Sequence, residues 1–189
     1  MAVRPITVIG HKALHSPTKK VKEVTEEIRT LVEDMFETME AAEGVGLAAN
    51  QVGSRVRIFV YDCPVPDGPN ARGVVVNPVL ERLGTPPPLE EEEHGEGCLS
   101  VPGEWFPLAR HPRARVTGTD LDGNEVVVEG EGLLARCLQH ETDHLDGYLY
   151  IDRLTGPVKA EAREAVKDRG WAADGVLRWD PSETTADKV

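Results

Sequence analysis

The stretch that decides the reading is Gln139-His140-Glu141-Thr142-Asp143-His144-Leu145-Asp146-Gly147. It sits in a segment, Leu133 to Leu145, that reads as a helix. Leu134, Cys137, Leu138, Glu141 and Leu145 fall near one face, and Gly147 is placed to end it. Residues four apart on a helix stand one above the other, so His140 and His144 can reach one metal ion from the same side. Glu141 projects about 100° round the helix from His140. From there it can flank the ion and handle the proton of a bound water without ligating. Two histidines are too few, because a catalytic site holds three protein ligands and one open position.

The third ligand has two candidate locations. Downstream, Gly147 follows the metzincin spacing, but the position that should then carry a third histidine is Tyr150. Glu164 lies about where thermolysin-like metalloproteases carry their glutamate, which makes such a protease the alternative reading. Upstream, Glu96-Gly97-Cys98-Leu99-Ser100 sets a cysteine in a glycine-containing loop, and a thiolate binds soft or borderline divalent metals well. A closed structural metal module would need a fourth protein ligand, for which only His94 and Glu96 lie near. A third stretch, Gly44-Val45-Gly46-Leu47-Ala48-Ala49-Asn50-Gln51, reads as a loop whose backbone approaches a ligand closely, with the Gln51 amide as a donor. It precedes no strand-to-helix unit of the kind that binds nucleotides.

Outward from these motifs, a first helix is expected within Val21 to Ala42. There Val24, Ile28, Leu31, Val32, Met35, Phe36 and Met39 recur at three- and four-residue steps, with Gly44 as a stop. Arg55 to Tyr61 alternates as a strand with Val56, Ile58 and Val60 on one side, and Val74 to Val76 is a second strand. Between them Asp62 to Gly73, rich in proline and glycine, reads as a loop long enough to shape specificity. Pro86 to Pro88 and the acidic run Glu90 to Glu93 read as a solvated loop. Asp122-Gly123 marks a hairpin between Val116 to Asp120 and Glu125 to Val128. Lys159 to Arg169 is a third helix ending at Gly170, and the chain is expected to fray from Asp180 on. Strands in runs with few helices indicate an α+β fold. Residues 1–170 are expected to form one catalytic domain, with 171–189 as a C-terminal extension.

The chain has 189 residues, long enough to bury a core without staples. Its 21 Lys and Arg against 33 Asp and Glu give a net charge of −12, which speaks against coating DNA or an anionic membrane. No apolar run approaches a membrane span, and the N-terminus does not read as a secretory leader. Three cysteines make no disulfide framework, so a reducing cytoplasm is the expected setting.

Taken together, the three stretches resemble the peptide deformylases, which remove the N-formyl group from nascent bacterial chains. The family motifs GxGxAAxQ, EGCxS and QHExDH are matched in order by Gly44 to Gln51, Glu96 to Ser100 and Gln139 to His144. The similarity runs across roughly residues 3 to 170. It implies antiparallel sheets around the central helix that carries the His-Glu-x-x-His motif. It implies that Cys98, His140 and His144 bind a divalent ion, Fe(II) physiologically, with Zn, Ni or Co also accepted. In this picture water or hydroxide fills the fourth position, Glu141 is the general base and later the acid, and Gln51 and the Leu99 N–H stabilise the oxyanion.

The resemblance also implies that the substrate peptide lies along the first motif as an added strand. Gly46 and Gly97 are expected to leave room for it, and the methionine side chain to enter a pocket near Val45, Leu133 and Cys137. Arg136 stands where an apolar wall would be expected, with its direction open. Trp105 and Phe106 are candidates for the rim of the site. Lys159, Arg163 and Lys167 form a basic stripe on the last helix, a candidate ribosome-facing surface.

Overall fold

The computed structural model describes residues 2–66, 68–89, 95–171 and 178–183. The elements run β1 (Ile6–Thr7), α1 (Glu26–Ala41), β2 (Gly46–Ala48), β3 (Ile58–Cys63), β4 (Ala71–Leu83), β5 (Gly95–Cys98), β6 (Val101–Pro107), β7 (Arg113–Thr119), β8 (Glu125–Glu131), α2 (Gly132–Leu145), α3 (Tyr150–Arg153), α4 (Gly156–Asp168) and β9 (Arg178–Trp179). Short 3-10 turns lie between several of them. The main sheet is five-stranded and antiparallel in the order β2-β3-β4-β7-β8, and β5-β6 and β1-β9 form separate pairs. This is the expected α+β architecture.

The two-residue period of β3 explains the layering. Phe59, Tyr61 and Cys63 point into a core shared with Leu134, Ala135, Cys137, Leu138 and Leu145 of α2. Ile58 and Val60 point to the opposite face, where Leu31, Val32, Met35 and Met39 of α1 meet them. A third cluster joins Val101 and Phe106 of β6 to Tyr150, Ile151, Ala162 and Val166. Helix α2 therefore lies between the main sheet and the rest of the protein, and every residue from Cys137 to Leu145 is buried. Gly147 stops the helix at φ +86, and a Cβ there would come within 2.9 Å of the Ser16 backbone.

Helix α1 falls within the expected Val21 to Ala42, and the first residue of that span is spared for another contact: Val21 N donates to Asn77 Oδ1 (2.8 Å) and Asn77 Nδ2 donates to Val21 O (2.9 Å). Several sequence-based boundaries shift. The first predicted strand starts three residues late, at Ile58, and runs on to Cys63. The second is much longer than Val74 to Val76, because Asn77 adopts φ +54 at a register shift between Val76 and Val79. That bulge absorbs Pro78, and the strand continues. The expected loop Asp62 to Gly73 shrinks to 64–70. Asp62 and Cys63 pair with Arg72 and Ala71, and Arg72 forms ion pairs with Asp62 and Glu40. The prolines and glycine that signalled a loop are confined to that shorter turn.

In the C-terminal extension the described residues 178–183 are seated on the domain: Trp179 pairs with Ile6, Pro181 is buried, and Ser182 donates to Asp180. The rest of the stretch expected to fray lies outside the described residues. The acidic run Glu90 to Glu93, and His94, lie outside the described residues.

Candidate metal centre and substrate cleft

The helical spacing places both imidazoles as expected. His140 Nε2 and His144 Nε2 are 3.1 Å apart, and Cys98 Sγ is 3.2 Å from His144 Nε2. Cys98, His140 and His144 have their ligand atoms within 4.8 Å of one another. Cys98 arrives from the end of β5, 46 residues before His144. The donor chemistry fits a cation. His140 Nδ1 is hydrogen-bonded to Glu96 Oε1 (2.7 Å), which turns Nε2 towards His144. Burial and the neighbouring His140 hold His144 well below the ordinary histidine range, so it presents a neutral nitrogen; at His140 burial is overcome by the Cys98 sulfur and the Glu96 carboxylate, which hold it well above that range. Two ring nitrogens and a sulfur this close call for a positive charge among them, which a divalent ion would supply in place of the His140 proton.

Glu96 was weighed in the sequence only as a spare ligand. The structure gives it another position. It is 3% exposed and accepts from Arg110 Nη2 (2.6 Å) and Nε (3.0 Å), from Arg136 Nη1 (2.9 Å) and from His140. Burial pushes its carboxyl up, but the Arg110 and His140 hydrogen bonds overcome that and hold it well below the usual carboxylate range. Arg110 also donates to Asp143 Oδ2 (2.5 Å), and Asp143 Oδ1 accepts from Arg153 (2.7 Å) and Arg82 (3.2 Å). Gln139 clasps His111 from both sides, accepting from its N–H and donating to its carbonyl. The polar letters of the motif thus tie α2 to the segment after β6. Arg136, whose direction was open, turns to Glu96 and the Leu108 carbonyl.

Gln51 Oε1 accepts from Ala48 N (2.8 Å), which points Nε2 at Ser100 Oγ (3.3 Å) and at Cys98 Sγ (3.9 Å). Leu99 lies in the turn between β5 and β6, beside Cys98. Glu141 is 4% exposed, and its Oε2 is buried with no hydrogen-bond partner. Burial raises its carboxyl to about 7.

These residues surround one cleft of about 490 Å³, lined by Val45, Gly46, Gln51, Gly97, Cys98, Leu99, Leu133, Cys137, His140 and Glu141 among others. Gly46 and Gly97 both line the cleft, and each also makes room for the protein's own side chains. A Cβ on Gly46 would meet Glu141 Oε1 at 2.5 Å and Cys137 Sγ at 2.7 Å. A Cβ on Gly97 would run into the Trp105 ring at 2.8 Å, so that glycine seats the indole. The aromatic pair also divides. Trp105 is 71% exposed on the rim, and Phe106 is buried in the core beneath α4. Cys63 is buried against Cys137, both thiols 3.5 Å from the Val45 carbonyl. Glu164 is exposed on α4 and takes no part in the ligand group, which removes the thermolysin-like alternative.

Comparisons with known proteins agree with this geometry. The family model described as polypeptide deformylase matches residues 3–160. The chain is 51% identical over 191 residues to a peptide deformylase of Mycolicibacterium smegmatis, covering 97% of this chain and 96% of that one. It is 50% identical over 186 residues to one of Rhodococcus opacus, covering 96% and 94%. Among solved structures, the Ehrlichia chaffeensis peptide deformylase in complex with actinonin superposes with a TM-score of 0.79 at 37% identity, covering 90% of this chain and 97% of that one. The Thermus thermophilus peptide deformylase gives 0.72 at 40% identity, covering 90% and 94%. A cysteine and two histidines converging beside a buried glutamate are therefore this lineage's arrangement, and the chain belongs to the polypeptide deformylase family, hydrolases that remove the formyl group from newly made polypeptides.

Proposed function

We propose that the chain cleaves the formyl amide of N-formylmethionyl polypeptides with Glu141 carrying the proton and Gln51 and the Leu99 N–H receiving the developing negative charge. The observation that carries this reading is Glu141 itself: a buried carboxyl, raised by burial to about 7 and with one oxygen lacking a hydrogen-bond partner, in the same cleft as the ligand group. Cys98 Sγ, His140 Nε2 and His144 Nε2 are the atoms that would hold a divalent ion, with Fe(II) as the physiological one and Zn, Ni or Co accepted by the same donors. Such an ion supplies Lewis acidity, which makes water a nucleophile at neutral pH.

The rest of the mechanism belongs to side chains. Near pH 7 Glu141 is poised both to take a proton from the attacking water and to return it to the departing amine, which leaves poorly without one. Gln51 Nε2 has two hydrogens: Ser100 Oγ takes one (3.3 Å), and the other is held only by a long contact to Cys98 Sγ (3.9 Å). The formyl oxygen would draw that second hydrogen from the sulfur as its charge grows. Strand β2 is an edge of the main sheet, and β5 stands across the cleft. An extended formylated peptide would add to this edge, with its methionine side chain against Val45, Leu133 and Cys137. Actinonin, which the Ehrlichia chaffeensis enzyme binds, would compete with it here.

Anaerobic purification with metal analysis and a formate-release assay on one sample tests the reading. One divalent ion per chain and formate from formyl-Met-Ala peptides are expected, with both lost in Cys98→Ala. A Cys98→Ala protein with full metal and activity would overturn the ligand set. Casein cleavage without formate release would overturn the activity.

The basic stripe of Lys159, Arg163 and Lys167 is proposed as a ribosome-facing surface of a cytoplasmic enzyme. Arg163 and Lys167 are exposed, and Lys159 Nζ is bonded to the Asp152 carbonyl. Reversing the three charges should weaken ribosome co-sedimentation and spare formate release. Unchanged co-sedimentation would leave the stripe a solvated face. Among the described residues no helix is long and apolar enough to cross a membrane.

A further inference from the structure

The turn after Cys98 is held from outside the three motifs. Trp179 Nε1, on β9, donates to the Leu99 carbonyl at 2.8 Å. Leu99 C=O and Ser100 N–H belong to one planar peptide and point in opposite directions. At the other end of that peptide, Ser100 N donates to Cys98 Sγ at 3.3 Å. Anchoring the oxygen therefore aims the N–H at the ligand sulfur. Strand pairing seats the anchor, since Trp179 lies opposite Ile6, and its ring packs against the α1 side of the core. Two other bonds hold the same turn: Ile9 N donates to Ser100 O (2.9 Å), and Gln51 Nε2 donates to Ser100 Oγ.

We propose that Trp179 is a positioning residue of the metal centre: by fixing the Leu99–Ser100 peptide it directs a backbone N–H onto the Cys98 sulfur and sets the attitude of the adjoining Leu99 N–H. A hydrogen bond to a ligating sulfur draws charge from it and so tunes the ion it holds. The Leu99 N–H is one peptide back along the same turn, so its aim depends on the same anchor. The C-terminal extension thereby reaches the site through the backbone without touching substrate.

The effect on turnover rests on the deformylase reading, but two readouts do not. Trp179→Phe keeps an aromatic ring in the core contact and removes the N–H donor. In Co(II)-loaded protein, the thiolate-to-metal charge-transfer band is expected to shift in this variant. kcat is expected to fall about tenfold, with KM changed by less than about twofold. Trp171→Phe, which alters an aromatic that packs under α4, should change neither the band nor kcat.

In the wild-type protein, hydrogen exchange of the Trp179 indole N–H, followed by NMR, should be about 100-fold slower than that of the exposed Trp105. An unshifted band with wild-type kcat overturns the proposal. So does exchange at Trp179 as fast as at Trp105, and that measurement stands even if the Phe variant fails to fold. A shifted band in a protein that releases no formate would uphold the proposal and count against the activity instead.

Discussion

Helices α2 and α4 are nearly equal in length, 14 and 13 residues, and both are amphipathic in sequence, yet the protein uses them in opposite ways. In α2 every side chain from Cys137 to Leu145 is buried, polar ones included. In α4 only Ala162 and Val166 are buried. The difference lies in partners. Gln139, His140 and Asp143 each meet a hydrogen-bonding group from a distant segment, so their polarity is tolerated inside. Glu161, Arg163, Glu164 and Lys167 stay in water, where single charges cost nothing to keep. Within α2 two buried side-chain atoms lack a hydrogen-bond partner, Glu141 Oε2 and His144 Nδ1; of these two residues only Glu141 lines the cleft without belonging to the ligand group, which leaves its carboxylate for chemistry.

The largest effect should come from that carboxylate. Glu141→Gln keeps the shape and removes the base, so kcat should fall about 10³-fold while metal analysis finds the ion retained. A variant with more than a tenth of wild-type turnover would show that Glu141 is not the proton carrier.

Arg110→Met comes next. It leaves the buried carboxylates of Glu96 and Asp143 without their shared cation, which should cost about 3–5 kcal/mol in denaturant unfolding. A loss below about 1 kcal/mol would mean that water reaches the pair and that the interior of α2 is less dry than its burial indicates.

Glu96→Gln is milder. His140 keeps an acceptor but loses a charged one, so metal affinity should fall about 10- to 100-fold. The sign of the pH effect follows from the depressed carboxyl. In the wild type, Glu96 contributes stability above its unfolded value of 4.5, and that contribution is lost as pH falls through the lower folded value. The Gln variant should therefore lose less stability than the wild type on titration from pH 6 into acid. Parallel curves would show that the ionised carboxylate does not matter to folding.

The smallest effect belongs to α4. Glu164→Ala should leave formate release unchanged, with stability altered by no more than about 0.5 kcal/mol. A larger change in turnover would reopen a catalytic role for that helix.

What was legible in the sequence was what depends on local geometry. His140 and His144 four apart, the alternation of β3 and the Asp122-Gly123 turn all express short-range periods, and the structure keeps each. The length of β4 was not legible, because it hinges on a bulge at Asn77 fastened to Val21, 56 residues away. Cys98 stood out only through its motif. That it lies 3.2 Å from His144 is a fact of folding. The polar letters around the ligands could be quoted before their work was known, since Glu96 and Arg110 are 14 residues apart, and Arg110 and Asp143 are 33 apart.

The sequence by itself therefore determined the chemistry: two imidazoles on one helical face, a carboxylate beside them, a thiol and an amide in glycine-containing loops. Tertiary structure decided how that chemistry is held. It set which nitrogen of His140 turns to the ion, which arginine neutralises Glu96, and that a tryptophan on β9 fastens the turn after Cys98. The physical reason is range. Helical and strand periods are written in neighbouring residues, whereas a buried charge or a peptide plane is fixed by whichever distant group the folded chain brings within hydrogen-bonding distance.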